Sequence, residues 1–103
     1  MKPNRESTSR LEVRAERALC EAIAALSLAE DIHALLVDLC TPAELQALAD
    51  RWSVVRMLEA GRPYRAIQAD TGISVTTIGR VARCLNQGTG GYRAALDALE
   101  PTN

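Results

Sequence analysis

The sequence predicts an all-α protein of about six helices, and three observations carry that expectation. Apolar residues recur at three- and four-residue steps through most of the chain, which is the spacing of one helix face. Ala and Leu, both strong helix formers, dominate a composition whose aromatic residues are only Trp52, Tyr64 and Tyr92. No stretch alternates apolar and polar residues as a half-buried strand does, and there is no internal repeat or low-complexity run.

Taken in order, residues 1–9 are polar, contain Pro3 and read as a disordered tail. Leu11, Ala15, Ala18, Leu19, Ala22, Ile23 and Leu26 then mark a first helix from Arg10 to about Leu28. A second runs from Ala29 to Leu39 with Ile32, Leu35, Leu36 and Leu39 on one face. Thr41-Pro42-Ala43-Glu44 is a helix start: a Thr cap, Pro at the first helical position, Glu three residues after the cap. The third helix directs Leu45, Leu48, Trp52, Val55 and Leu58 inward and stops at Gly61. Pro63 opens a fourth, Tyr64 to Thr71, which Gly72 ends, and Ser74 caps a fifth from Val75 to about Asn86. Gln87 to Gly91 is a flexible break before a last helix, Tyr92 to Leu99, and 100–103 form a short tail. Residues 10–99 thus read as one helical domain. An Ala- and Leu-rich core of this size is marginal for a lone monomer, and the first three helices carry apolar stripes broad enough to want a partner.

The net charge of −1 conceals a division along the chain. From Leu11 to Asp50 eight acids face two arginines, whereas from Arg51 to Arg93 seven arginines face Glu59 and Asp70. Every base in the second segment is Arg, suited to bidentate phosphate and guanine contacts. That favours an anionic partner over an ordinary solvated surface. Cys20, Cys40 and Cys84 are odd in number and widely spaced, with only His33 nearby, which excludes a disulfide framework and a zinc site. No segment has the length and apolarity of a signal peptide or a membrane helix, so the expected location is the cytoplasm, at the nucleoid. No acid-paired His, phosphate-cradling glycine loop or metal cluster argues for an enzyme.

The segment from Tyr64 to about Asn86 meets the requirements of a helix-turn-helix. Ile67 and Ile73 can fill the angle between the helices, Gly72 accepts the positive φ of the turn, and Ile78 and Val81 anchor the second helix inward. Its outer face offers Ser74, Thr76 and Thr77 first, then Arg80 and Arg83. Small residues at the leading end admit base edges, and hydroxyls and arginines suit phosphates and bases. Gln68 departs from the small residue common at its position.

Leu39-Cys40-Thr41-Pro42-Ala43-Glu44, then Leu48-Ala49-Asp50-Arg51 and the helix-turn-helix, resemble the tryptophan repressor family. The ending Arg80-Val81-Ala82-Arg83-Cys84-Leu85-Asn86 with Gly88-Thr89-Gly90-Gly91-Tyr92 is similar to its YerC/YecD-type branch, and the resemblance runs from about Leu35 to Leu99. It implies an intertwined helical homodimer that places two recognition helices about one DNA turn apart on a near-palindrome. It also implies that Arg65 matches a base-contacting position and Thr77 one near a phosphate. The candidate DNA-contacting set is Arg65, Gln68, Ser74, Val75, Thr76, Thr77, Gly79, Arg80 and Arg83.

The same resemblance implies an effector pocket of Thr41, Arg51, Arg80, Val81 and Cys84. Two of these depart from the tryptophan repressor: Val81 stands where a glycine underlies the ligand, and Cys84 replaces a serine near its amino group. Both argue against tryptophan as corepressor, and no cofactor is expected, although another small-molecule effector fits the reading. Cys84 otherwise reads as a small buried apolar group. Arg51, read without the family, would form a surface ion pair with Asp50 or Glu44. The expected function is a sequence-specific, homodimeric transcriptional regulator of the repressor type. The alternative is a protein-interaction adaptor on the same fold.

Overall fold

The computed structural model describes residues 5–100. Its elements are α1 (Arg5–Ala25), α2 (Ala29–Leu39), α3 (Pro42–Glu59), α4 (Tyr64–Thr71), α5 (Val75–Gln87) and α6 (Gly91–Leu99), with no strand among the described residues. The all-α expectation of six helices holds. α1 starts at Arg5, inside the stretch read as a tail, because nothing between Arg5 and Ser9 is a helix breaker and each added residue gains a backbone hydrogen bond. The remainder of that tail, 1–4, and all but Glu100 of the second tail lie outside the described residues.

The span read as one domain gathers into two compact units, 1–41 and 42–103. In the first, no described side chain is buried, and Leu11, Val13, Leu19, Leu28, Val37 and Leu39 are all more than two-fifths exposed. α2 begins without a side-chain cap: Leu28 is extended, and its carbonyl accepts from Asp31 and Ile32.

The second unit holds the core. α5 lies at its centre, packed on α3, α4 and α6, and α3 also touches α4. Val54, Val55, Ile67, Ile78, Val81 and Leu96 form the buried cluster, with Trp52, Met57, Leu58, Ile73, Leu85 and Tyr92 packed against it. Val54 is a correction to the expected core of α3, as is Leu48, which is exposed. Consecutive helical residues point about 100° apart, so Val54 and Val55 can both be buried only where a helix has neighbours on two sides. α3 has such neighbours in α4 and α5. Gly61, at φ +82°, ends α3: its N–H bonds to Leu58 O and that of Arg62 to Met57 O, the paired bonds of a Schellman stop.

Candidate nucleic-acid interface and adjoining cavity

The helix-turn-helix is built from local hydrogen bonds around a small apolar hinge. α4 ends in Gly72, whose left-handed backbone (φ +75°) turns the chain while its N–H bonds to Gln68 O at 2.8 Å. A residue with a Cβ adopts that conformation only at a cost. Thr71 Oγ1 donates to Ile67 O at 2.7 Å and accepts from the Ile73 N–H at 3.1 Å, tying the turn to the helix it leaves. Ser74 caps α5 as expected: its Oγ accepts from the Thr77 N–H at 3.2 Å and lies 3.0 Å from Thr77 Oγ1. Ile67 and Ile78 close the angle between the helices with no exposed surface, and Ile73 is half-buried beside them.

Helical geometry then sorts the polar side of α5 into two edges. Ile78, Val81 and Ala82 face the core. Val75, Thr76, Gly79 and Arg83 fall along one side of the outward face, and Thr77, Arg80 and Cys84 along the other. Arg65 and Gln68, three residues apart and therefore on one face of α4, are exposed as well.

The second edge lines an open cavity of about 180 Å³ bounded by Arg51, Thr77, Arg80, Val81, Cys84 and Tyr92. Four of the five residues read as an effector pocket therefore meet: Arg51, Arg80, Val81 and Cys84. Thr41, the fifth, belongs to the first unit. Cys84 is exposed rather than buried, because it falls on an outward edge of α5, off the side that Ile78, Val81 and Ala82 turn to the core. Arg51 does not pair with Asp50, which instead accepts from Gln46 Nε2 at 2.8 Å. Thr77 and Tyr92 were not expected here. Tyr92 reaches the cavity from α6, its ring 6.5 Å from that of Trp52 and tilted by 44°. The Gly90-Gly91 pair before it was the available sign that this residue packs back onto the domain.

The electrostatics are sharper than the sequence count implies. Both acids of the 51–93 segment are taken by one arginine each: Asp70 by Arg62, and Glu59 by Arg93 in a bidentate pair at 2.7 and 3.1 Å. The Arg93 hydrogen bond holds the Glu59 carboxyl below its usual value, and the same bond raises Arg93. Arg51, Arg56, Arg65, Arg80 and Arg83 form no ion pair with a described carboxylate. Three of these, Arg65, Arg80 and Arg83, lie on the helix-turn-helix itself.

An all-α unit with this turn, this cap and an arginine-bearing second helix defines a helix-turn-helix protein. The chain belongs to the Trp repressor protein family, whose model matches residues 15–100. It is 44% identical over 84 residues to an uncharacterised protein, YerC, of Bacillus subtilis, spanning 82% of this chain and 81% of that one. Among solved structures it is similar to a candidate Trp repressor from Staphylococcus aureus (TM-score 0.77, 36% identity, 87% of this chain and 91% of that one). It is also similar to a TrpR-like protein from Eubacterium eligens (TM-score 0.79, 35% identity, 88% and 94%). No described helix is long and apolar enough to cross a membrane.

Proposed function

We propose that the protein is a homodimeric, sequence-specific DNA-binding regulator of the repressor type that inserts α5 into the major groove. The observation that carries this reading is the outward face of α5, which holds no acid, offers Thr76 and Gly79 beside Arg80 and Arg83, and leaves both arginines without a carboxylate partner among the described residues. Desolvating an arginine already engaged with a carboxylate would gain little from a phosphate; these are not so engaged. Membership of the Trp repressor family supports the same role. The exposed apolar residues of α1 and α2 support a second copy as the partner of the first unit.

Selection of bound sequences from random duplexes tests the reading. The expected product is a pseudo-palindrome with half-sites about 10 base pairs apart, bound with an affinity that falls steeply with salt. No enriched half-site, or binding indifferent to salt, overturns it. Arg80→Ala is expected to weaken binding and to lower the salt slope by about 1, and unchanged affinity would refute its role. The cavity beside Arg80 is the proposed effector site. Two guanidinium groups facing one space suit an anionic group, and Val81, only 3% exposed, narrows its floor. Tryptophan is expected to give no heat in calorimetry, and a measurable heat would restore it as a corepressor.

A further inference from the structure

Gly79 is the least expected residue on the outward face of α5. A glycine inside a helix weakens it relative to alanine, so its presence calls for a reason. Packing supplies none: a Cβ built at Gly79 meets no atom of the protein within 4 Å. Backbone conformation supplies none either, since Gly79 lies within α5 and is absent from the positive-φ glycines. The space above it is therefore open toward solvent, between Val75 one turn earlier and Arg83 one turn later. Val75 is a β-branched apolar side chain 45% exposed at the leading end of the helix, and exposed Thr76, three residues before Gly79, borders the same open space from its other side.

We infer that Val75 and Thr76 form an apolar contact for the C5-methyl group of a thymine in the major groove, and that Gly79 is bare so that the base edge can reach them. The inference rests on the DNA-binding reading above and adds to it the base that this edge recognises. Thymine is the base that presents a methyl group in that groove, and apolar side chains are its usual contacts. Arg83, on the same edge, supplies the phosphate contact that would hold the helix at that depth.

The test uses the full chain and the duplex recovered by selection, with each half-site thymine replaced in turn by uracil, which removes only the methyl group. One position is expected to lose about four-fold in affinity, the worth of a single buried methyl. That penalty is expected to disappear in Val75→Ala or in Thr76→Ser. Gly79→Ala is expected to bind the unmodified duplex roughly five-fold or more weakly, as overpacking a close contact does, while unfolding at a higher temperature than wild type. Wild-type binding without a uracil penalty at any position overturns the inference and leaves DNA binding standing, as does Gly79→Ala binding at full affinity. A Gly79→Ala protein less stable than wild type would assign the glycine to packing and overturn it too. Failure of the selection to enrich any half-site removes both readings.

Discussion

One methyl group added at Gly72 and the same group added at Gly79 should move stability in opposite directions. The comparison is clean because a Cβ at either position meets nothing within 4 Å, so contact sterics cancel and backbone conformation alone decides the sign. At Gly72 the chain is left-handed, at φ +75° and ψ 1°, where an L-residue costs about 1–2 kcal/mol. Alanine also restricts the unfolded chain, which returns about 0.4–1 kcal/mol. The net loss for Gly72→Ala is then centred on about 0.8 kcal/mol, and Gly72→Asn should lose less because Asn tolerates this conformation. At Gly79 the backbone is helical, and alanine is favoured by about 0.5–1 kcal/mol. The two variants should bracket wild type across roughly 1–2 kcal/mol, with each kcal/mol moving Tm by about 4–8 °C in a domain of this size. Equilibrium urea denaturation at one fixed protomer concentration reads the difference, with a common slope required for all the proteins. Shifts of the same sign at both positions would refute the argument that backbone conformation separates these glycines.

Three further outcomes follow from the packing and the ion pairs. Ile78→Ala, emptying a fully buried site between α4 and α5, should cost about 2–5 kcal/mol and Ile78→Val about 0.5–1.5 kcal/mol by urea denaturation; equal losses would show that the hinge is not close-packed. Ser74→Ala should cost about 1 kcal/mol and speed exchange of the Thr77 amide, and an unchanged exchange rate would remove the cap. Glu59→Gln should alter how stability depends on pH. Because the folded carboxyl titrates below its usual 4.5, the pair with Arg93 supports the fold above that value and is withdrawn as pH falls through the lowered one. The Tm gap between wild type and Glu59→Gln should therefore be present at neutral pH, close in acid and shrink in salt, since the pair is exposed; a gap independent of pH would refute the linkage.

The helices themselves were legible in the amino-acid order because their signals are local. Apolar spacing, Pro42, Pro63, Gly72 and Ser74 act within one or two turns, and α2 and α4 begin and end where those signals place them. The helix-turn-helix was legible for the same reason, down to the turn at Gly72 and the cap at Ser74. What joins distant segments was decided only by tertiary structure. Val54 is buried and Leu48 is not because α3 packs against both α4 and α5, a fact that one helix's periodicity does not contain. Tyr92 meets Arg51 and Arg80 across one cavity, and Cys84 faces that space instead of the core, because α5 presents a second edge there. The charge split followed the same rule. Seven arginines could be counted along 51–93, but only the fold pairs Glu59 with Arg93, 34 residues away, and so determines which arginines carry an unneutralised charge. Hydrogen bonds and helix periods act over one turn of chain, whereas burial and ion pairing depend on which surfaces the completed fold brings together.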